Sequence, residues 1–247
     1  MPEFTRRSAQ PRAERRAEAT AALALWDLPE TQPTEWDETA AGAWPPKAWP
    51  PSWPAAVDHD ARPLVVFMSS GNAVTAMFTS LLSCKTPLRL VVVTGRQDDV
   101  RADLAKVAVP ARHAVKLLGF VTQMPTLLSC TDLLVSKSGG LSVAEAAALG
   151  VPMVVLDPIP GQEQRNSDVL LEAGAAVKIN DLPLLGNKVD AVLAMGGARR
   201  EAMAKAVSTL AKPNAAFVIA DAILNGEVKA TRELDESSTP GAKAKDE

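Results

Sequence analysis

The segment Ser136-Lys137-Ser138-Gly139-Gly140-Leu141-Ser142 runs directly into the helix-forming stretch Val143-Ala144-Glu145-Ala146. Paired glycines let backbone come close to a ligand, and a helix start offers N–H groups with no intrahelical acceptor together with partial positive charge. Ser138, Gly139, Gly140, Leu141 and Ser142 therefore have the composition of a diphosphate cradle, although a plain tight turn before a helix is built from the same residues. Glu145 falls one turn deeper, where a carboxylate could accept both hydroxyls of a ribose. Its spacing from Ser142 is also that of a capping box, in which each side chain bonds the other residue's backbone N–H.

A second cluster follows in Asp157-Pro158-Ile159-Pro160-Gly161-Gln162-Glu163-Gln164-Arg165-Asn166. The prolines and Gly161 stiffen a turn that delivers Gln162, Glu163 and Asn166 to a helix start. Side chains with several donors and acceptors at one rim suit the hydroxyls of a sugar, and an ordinary solvated first turn would look similar. The third candidate is Gly119-Phe120-Val121, where an aromatic beside exposed backbone could flank a flat base, although a lone phenylalanine such as Phe120 is more often core.

These loops need a scaffold, and the surrounding pattern supplies one. Short apolar runs alternate with helical stretches from residue 64 onward, the sign of a parallel sheet covered by helices on both faces. Strands are predicted at 64–69, 88–94, 114–118, 132–136, 153–156 and 175–179. Helices are predicted near 73–83, 97–106, 124–130, 141–149 and 163–173, from apolar residues at three- and four-residue spacing. Two further helices, near 198–211 and 214–225, close the domain, with Gly226 as a C-cap. The fold class is thus α/β, a doubly wound parallel sheet, and ligands in such sheets lie outside the carboxyl ends of the strands. All three candidate loops lie there.

The flanks read differently. Residues 1–62 pass from an arginine-rich opening into the Pro/Trp segment at 44–54, where proline removes backbone donors and fixes extended geometry. A low-order linker is expected, whose tryptophans could also settle at a lipid headgroup layer or dock on protein. The domain itself is assigned to 63–226, and the charged tail 227–247 lacks apolar periodicity. A formal net charge of -3 gives no positive field to hold nucleic acid. Cys84 and Cys130 show no metal-ligand spacing, and no apolar run reaches the roughly 18 residues that span a bilayer. A cytoplasmic protein without metal or cofactor is expected.

Taken together, Leu118-Gly119-Phe120-Val121 with Met124, the run Ser136–Ala146, Leu149-Gly150-Val151-Pro152, and Asp157–Glu163 with Asn166 resemble one family. It is the C-terminal domain of the glycosyltransferases that include monogalactosyldiacylglycerol synthase, processive diacylglycerol glucosyltransferase and MurG-type transferases. The resemblance covers roughly 63–225 and looks closest to the glycolipid-forming branch, because of the Pro160-Gly161-Gln162-Glu163 turn.

The resemblance implies a Rossmann-like GT-B half-domain that binds UDP-hexose, the donor substrate. Phe120 and Val121 would border the uracil, Ser138 to Ser142 would hold the diphosphate and Glu145 the ribose. Gln162 and Glu163 would contact the hexose, with Asn166 supporting their loop. It further implies a lipid acceptor of the diacylglycerol type, bound by an N-terminal-type domain that residues 1–62 are too short to form. A partner chain or a longer gene product would supply that domain, together with peripheral membrane contact, or plastid location in a photosynthetic eukaryote. The turn Met68-Ser69-Ser70-Gly71-Asn72 departs from the family's glycine-rich first loop by keeping one glycine. His59 and His113 stand in no base motif, so no catalytic base is assigned. The alternative function is a non-catalytic UDP-sugar-binding or interaction subunit.

Overall fold

The computed structural model describes residues 62–69, 71, 73–156, 160–194 and 197–225, together with Glu14 and Arg15. The Pro/Trp segment, the tail and Gly226 lie outside the described residues.

Six parallel strands form one sheet: β1 (Leu64–Met68), β2 (Arg89–Val93), β3 (Ala114–Leu118), β4 (Leu133–Ser136), β5 (Met153–Val155) and β6 (Ala176–Lys178), in the order β3-β2-β1-β4-β5-β6. Their apolar runs are continuous rather than alternating because helices cover both faces. Along β1, Leu64 and Val66 enter one core cluster while Val65 and Phe67 enter the other. The first cluster is completed by α3 (Met124–Cys130), α4 (Gly140–Leu149) and α5 (Gln162–Glu172). The second is completed by α1 (Val74–Leu82), α2 (Asp98–Leu104) and α6 (Leu185–Leu193). Helix α7 (Ala198–Thr209) reaches both, through Val207 and Met203. The expected doubly wound architecture is present.

The expected strands are trimmed by a residue at most of their ends, and one helix was not anticipated. A 3-10 turn at Leu182–Leu184 leads into α6, whose Leu185, Val189 and Val192 are buried. Gly186 allows α6 to press on the end of α1: a Cβ there would stand 2.7 Å from the Ser80 carbonyl oxygen and closer still to the Ser83 hydroxyl. The start of β4 is fixed by Asp132, which is 1% exposed, accepts the Leu64 N–H at 2.8 Å and pairs with Arg200 of α7 at 2.7 Å. Helix α8 (Ala215–Leu224) belongs to a second compact unit, Asn214–Glu247, divided from the first at Pro213.

Candidate functional site

The strand order reverses at β1, which pairs with β2 on one side and β4 on the other. Loops leaving the carboxyl ends of such neighbours diverge and open a crevice. On its β4 side, Ser136 ends the strand and Gly140 begins α4. The N-cap is Gly139, in an extended conformation, and no side chain caps the helix. The first intrahelical bond in this turn runs from the Val143 N–H to the Gly139 carbonyl at 3.0 Å. The N–H groups of Gly140, Leu141 and Ser142 therefore have no acceptor within the helix. Ser142 is not an N-cap but sits inside the first turn, so the capping box with Glu145 does not form.

Helix α5 begins the same way. Its N-cap is Gly161, at φ 101°, a left-handed conformation that favours glycine, and again no side chain caps it. The Arg165 N–H bonds the Gly161 carbonyl at 3.1 Å. The two helix mouths are stitched together: the Ser138 hydroxyl donates to the Glu163 carbonyl at 2.7 Å, and the Asn166 amide donates to the Ser138 carbonyl at 2.9 Å. A Cβ on Gly140 would stand 3.9 Å from Gln162 Nε2 and 4.0 Å from Asn166 Nδ2, whereas one on Gly139 would meet open space. Ser138 is 0% exposed. Its hydroxyl is turned inward to hold the loops, while Gly140 and Leu141 are exposed and Gly139 and Ser142 half-buried. Asp157, Pro158 and Ile159 lie outside the described residues.

Glu145 is half-buried on α4 and makes no hydrogen bond or ion pair among the described residues. Burial pushes its carboxyl above the usual range, because the charged form has lost water. On a helix it shares a side with Leu141 and Ser142, and Leu141 is 69% exposed despite being apolar. Gln162 and Gly161 are exposed, while Glu163 and Asn166 are half-buried.

The β3 loop is at the same end of the sheet. Gly119 and Val121 are half-buried, Val121 packing against the cluster that holds α3 and α4, and Phe120 is 46% exposed rather than core. His113 is buried and bonded on both ring nitrogens, immediately before β3; His59 lies outside the described residues. One residue escaped the sequence reading: Arg96, in the turn after β2, lies over the Phe120 ring with Cζ 5.4 Å from its centroid. The only sequence signal was its place after a strand in Thr94-Gly95-Arg96. Among the described residues no three His, Cys, Asp or Glu side chains gather to hold a metal ion.

Fold and strand order define a Rossmann-like half-domain of the GT-B class. The chain belongs to glycosyltransferase family 28, whose C-terminal domain matches residues 71–219. Processive diacylglycerol beta-glucosyltransferases of Bacillus mycoides (strain KBAB4) and Bacillus cereus (strain B4264) are each 34% identical over 137 residues, 56% of this chain and 35% of theirs. The match thus spans about a third of the length of these relatives. Among solved structures, MurG of Acinetobacter baumannii superposes with a TM-score of 0.56 at 23% identity, over 67% of this chain and 51% of that one. Alr3699/HepE of Anabaena, in complex with UDP and glucose, gives 0.50 at 18% identity, over 67% and 47%.

Proposed function

We propose that this domain binds a UDP-hexose and, joined to an acceptor-binding half, transfers the hexose to a diacylglycerol-like lipid. One observation carries the reading: two helices with glycine N-caps and no side-chain cap meet at one crevice, tied by the Ser138–Glu163 and Asn166–Ser138 bonds. Free amides at a helix mouth attract negative charge. The diphosphate lies against the N–H groups of residues 140–142, and Glu145 takes the ribose hydroxyls with a carboxylate that holds no hydrogen bond among the described residues. Gln162 and Glu163 face the hexose from the α5 mouth. Phe120 and Val121 flank the uracil.

Chemically, departure of the sugar leaves added negative charge on UDP. Fixed amides stabilise that charge without reorganising, the role a metal ion plays elsewhere. No cofactor takes part, since the UDP-sugar is itself the donor. The general base and the lipid site come from the acceptor half, and a lipid acceptor brings the assembly to a cytoplasmic membrane surface. The names of the Bacillus relatives and the nucleotide held by HepE support this choice of acceptor and donor.

Calorimetric titration with UDP, UDP-glucose, UDP-galactose and UDP-N-acetylglucosamine tests the donor role. UDP should bind with a heat that one UDP-hexose reproduces or exceeds. Absence of any heat with all four would sink the proposal. Hexose transfer to diacylglycerol after joining the acceptor half of a relative tests the enzymatic role, and UDP binding without transfer would favour the non-catalytic subunit.

A further inference from the structure

The turns after β2 and β3 are joined more closely than strand pairing requires. The Thr94 N–H and hydroxyl both donate to the Leu118 carbonyl, at 2.9 and 3.2 Å. Just beyond, a Cβ on Gly119 would stand 3.5 Å from the Gly95 carbonyl oxygen, so the two backbones nearly touch. The side chains that follow these glycines are consequently brought together. Arg96 Cζ lies 5.4 Å from the Phe120 centroid, within cation–π range.

Both groups are exposed, Phe120 to 46%. Among the described residues no ion pair engages Arg96. An exposed pair of this kind contributes little to folding. A flat apolar ring with an uncompensated array of N–H donors above it, at the ligand end of a parallel sheet, is instead suited to a planar group edged with carbonyl oxygens.

We propose that Arg96 is a base-reading residue, held in place by Phe120, that selects uracil over cytosine in the donor nucleotide. The inference rests on the UDP site proposed above. Uracil presents carbonyl oxygens at positions 2 and 4, whereas cytosine carries an amino group at position 4. A guanidinium has only donors: it bonds the uracil carbonyl and meets the cytosine amino group donor to donor. Selectivity of this origin is large because a mismatched polar group is left unpaired in the site.

The test is calorimetry of the full chain with UDP and with CDP, for wild type, Arg96→Ala and Phe120→Leu, with thermal midpoints as the folding control. Wild type should prefer UDP. Arg96→Ala should lose about tenfold in UDP affinity, the loss expected for a hydrogen bond to a charged group, and change CDP affinity by less than about twofold, so that the preference collapses. Phe120→Leu, which removes the anchor and keeps the cation, should lower the same ratio. An equal loss for both nucleotides assigns Arg96 to the phosphates and overturns the proposal, as does an unchanged ratio or a wild type that binds UDP and CDP alike. Wild type binding neither nucleotide overturns the UDP site itself and this assignment with it.

Discussion

The two ends of the sheet hold polar clusters of opposite character. At the amino end, around the C-terminus of α1, every group has a partner. Asp190 accepts the Cys84 thiol at 2.9 Å and the N–H groups of Lys85 and Thr86 at 2.8 Å each. Arg112 donates to the carbonyls of Cys84 and Leu82, at 2.8 and 2.9 Å. His113 accepts the Leu88 N–H on Nδ1 and gives its Nε2 proton to the Leu82 carbonyl, both at 3.2 Å. Burial and the neighbouring Asp190 carboxylate push the Cys84 thiol up to about 12, so it is inert as a nucleophile near neutral pH. At the carboxyl end, two helices start without side-chain caps, a glycine faces open space and Glu145 makes no hydrogen bond among the described residues. Saturated polar groups hold a fold, and unsaturated ones at a rim are left for a ligand.

The sharpest way to break this contrast is to exchange stability for binding at each end. Asp190→Ala strips the acceptor from two backbone amides and a thiol, and unpaired groups of this kind cost about 1–3 kcal/mol each. A loss of about 3 kcal/mol in urea unfolding is expected, with UDP affinity of the folded protein unchanged. Weakened UDP binding at undiminished stability would place the amino-end cluster in the ligand's path and end the distinction. Glu145→Ala should do the reverse. UDP binding should weaken by about 2 kcal/mol, the scale of hydrogen bonds to a charged acceptor, while the thermal midpoint holds or rises, because a half-buried carboxylate without a donor is removed and alanine is the better helix former. If the midpoint falls and UDP binds as before, Glu145 belongs to the structure and not to the site.

How far each end can be read from sequence follows from the same physics. The inner strands announce themselves because burial on both faces demands unbroken apolar runs such as Leu64–Met68 and Met153–Val155, short enough to read as strands. Helix α6 hides because Pro183, Gly186 and Asn187 obscure its start, although Leu185, Val189 and Val192 keep the helical spacing; the glycine is there for contact with α1, a demand set by residues a hundred positions away. Without α6, Asp190 has no visible context, and the amino-end cluster is invisible. At the carboxyl end the glycine-before-helix pattern is local and therefore legible. The structural part that the Ser138 hydroxyl plays is not local, since it donates to the Glu163 carbonyl, a partner fixed by packing of α4 beside α5. The Ser142–Glu145 spacing misleads, because the helix begins at Gly140 and Gly139 takes the capping position.

The smallest effects are in pH, and they should have opposite signs at the two ends. His113 is held below its usual value of 6.5 by burial and by the Arg112 charge. The unfolded chain therefore binds the proton more readily than the fold does, so stability should fall as pH drops below about 6.5. Asp190 adds to this below 3.8: burial opposes its ionisation, but the thiol and amide donors prevail and hold it low. Glu145, raised above 4.5, favours the folded state as pH falls through its elevated value, since the fold binds that proton more tightly than the unfolded chain. Binding should follow the charge: a protonated Glu145 has lost acceptor capacity toward the ribose hydroxyls, so UDP affinity should decline as pH falls through the same range. UDP's own terminal phosphate also titrates, near about 6, and would lower affinity for a different reason. Glu145→Gln separates the two, because it keeps the nucleotide's titration and removes the protein's. The difference between the wild-type and variant profiles, measured by calorimetry, should be largest near neutral pH and shrink as pH falls through the elevated value of Glu145; parallel profiles would mean that the carboxylate does not touch the nucleotide.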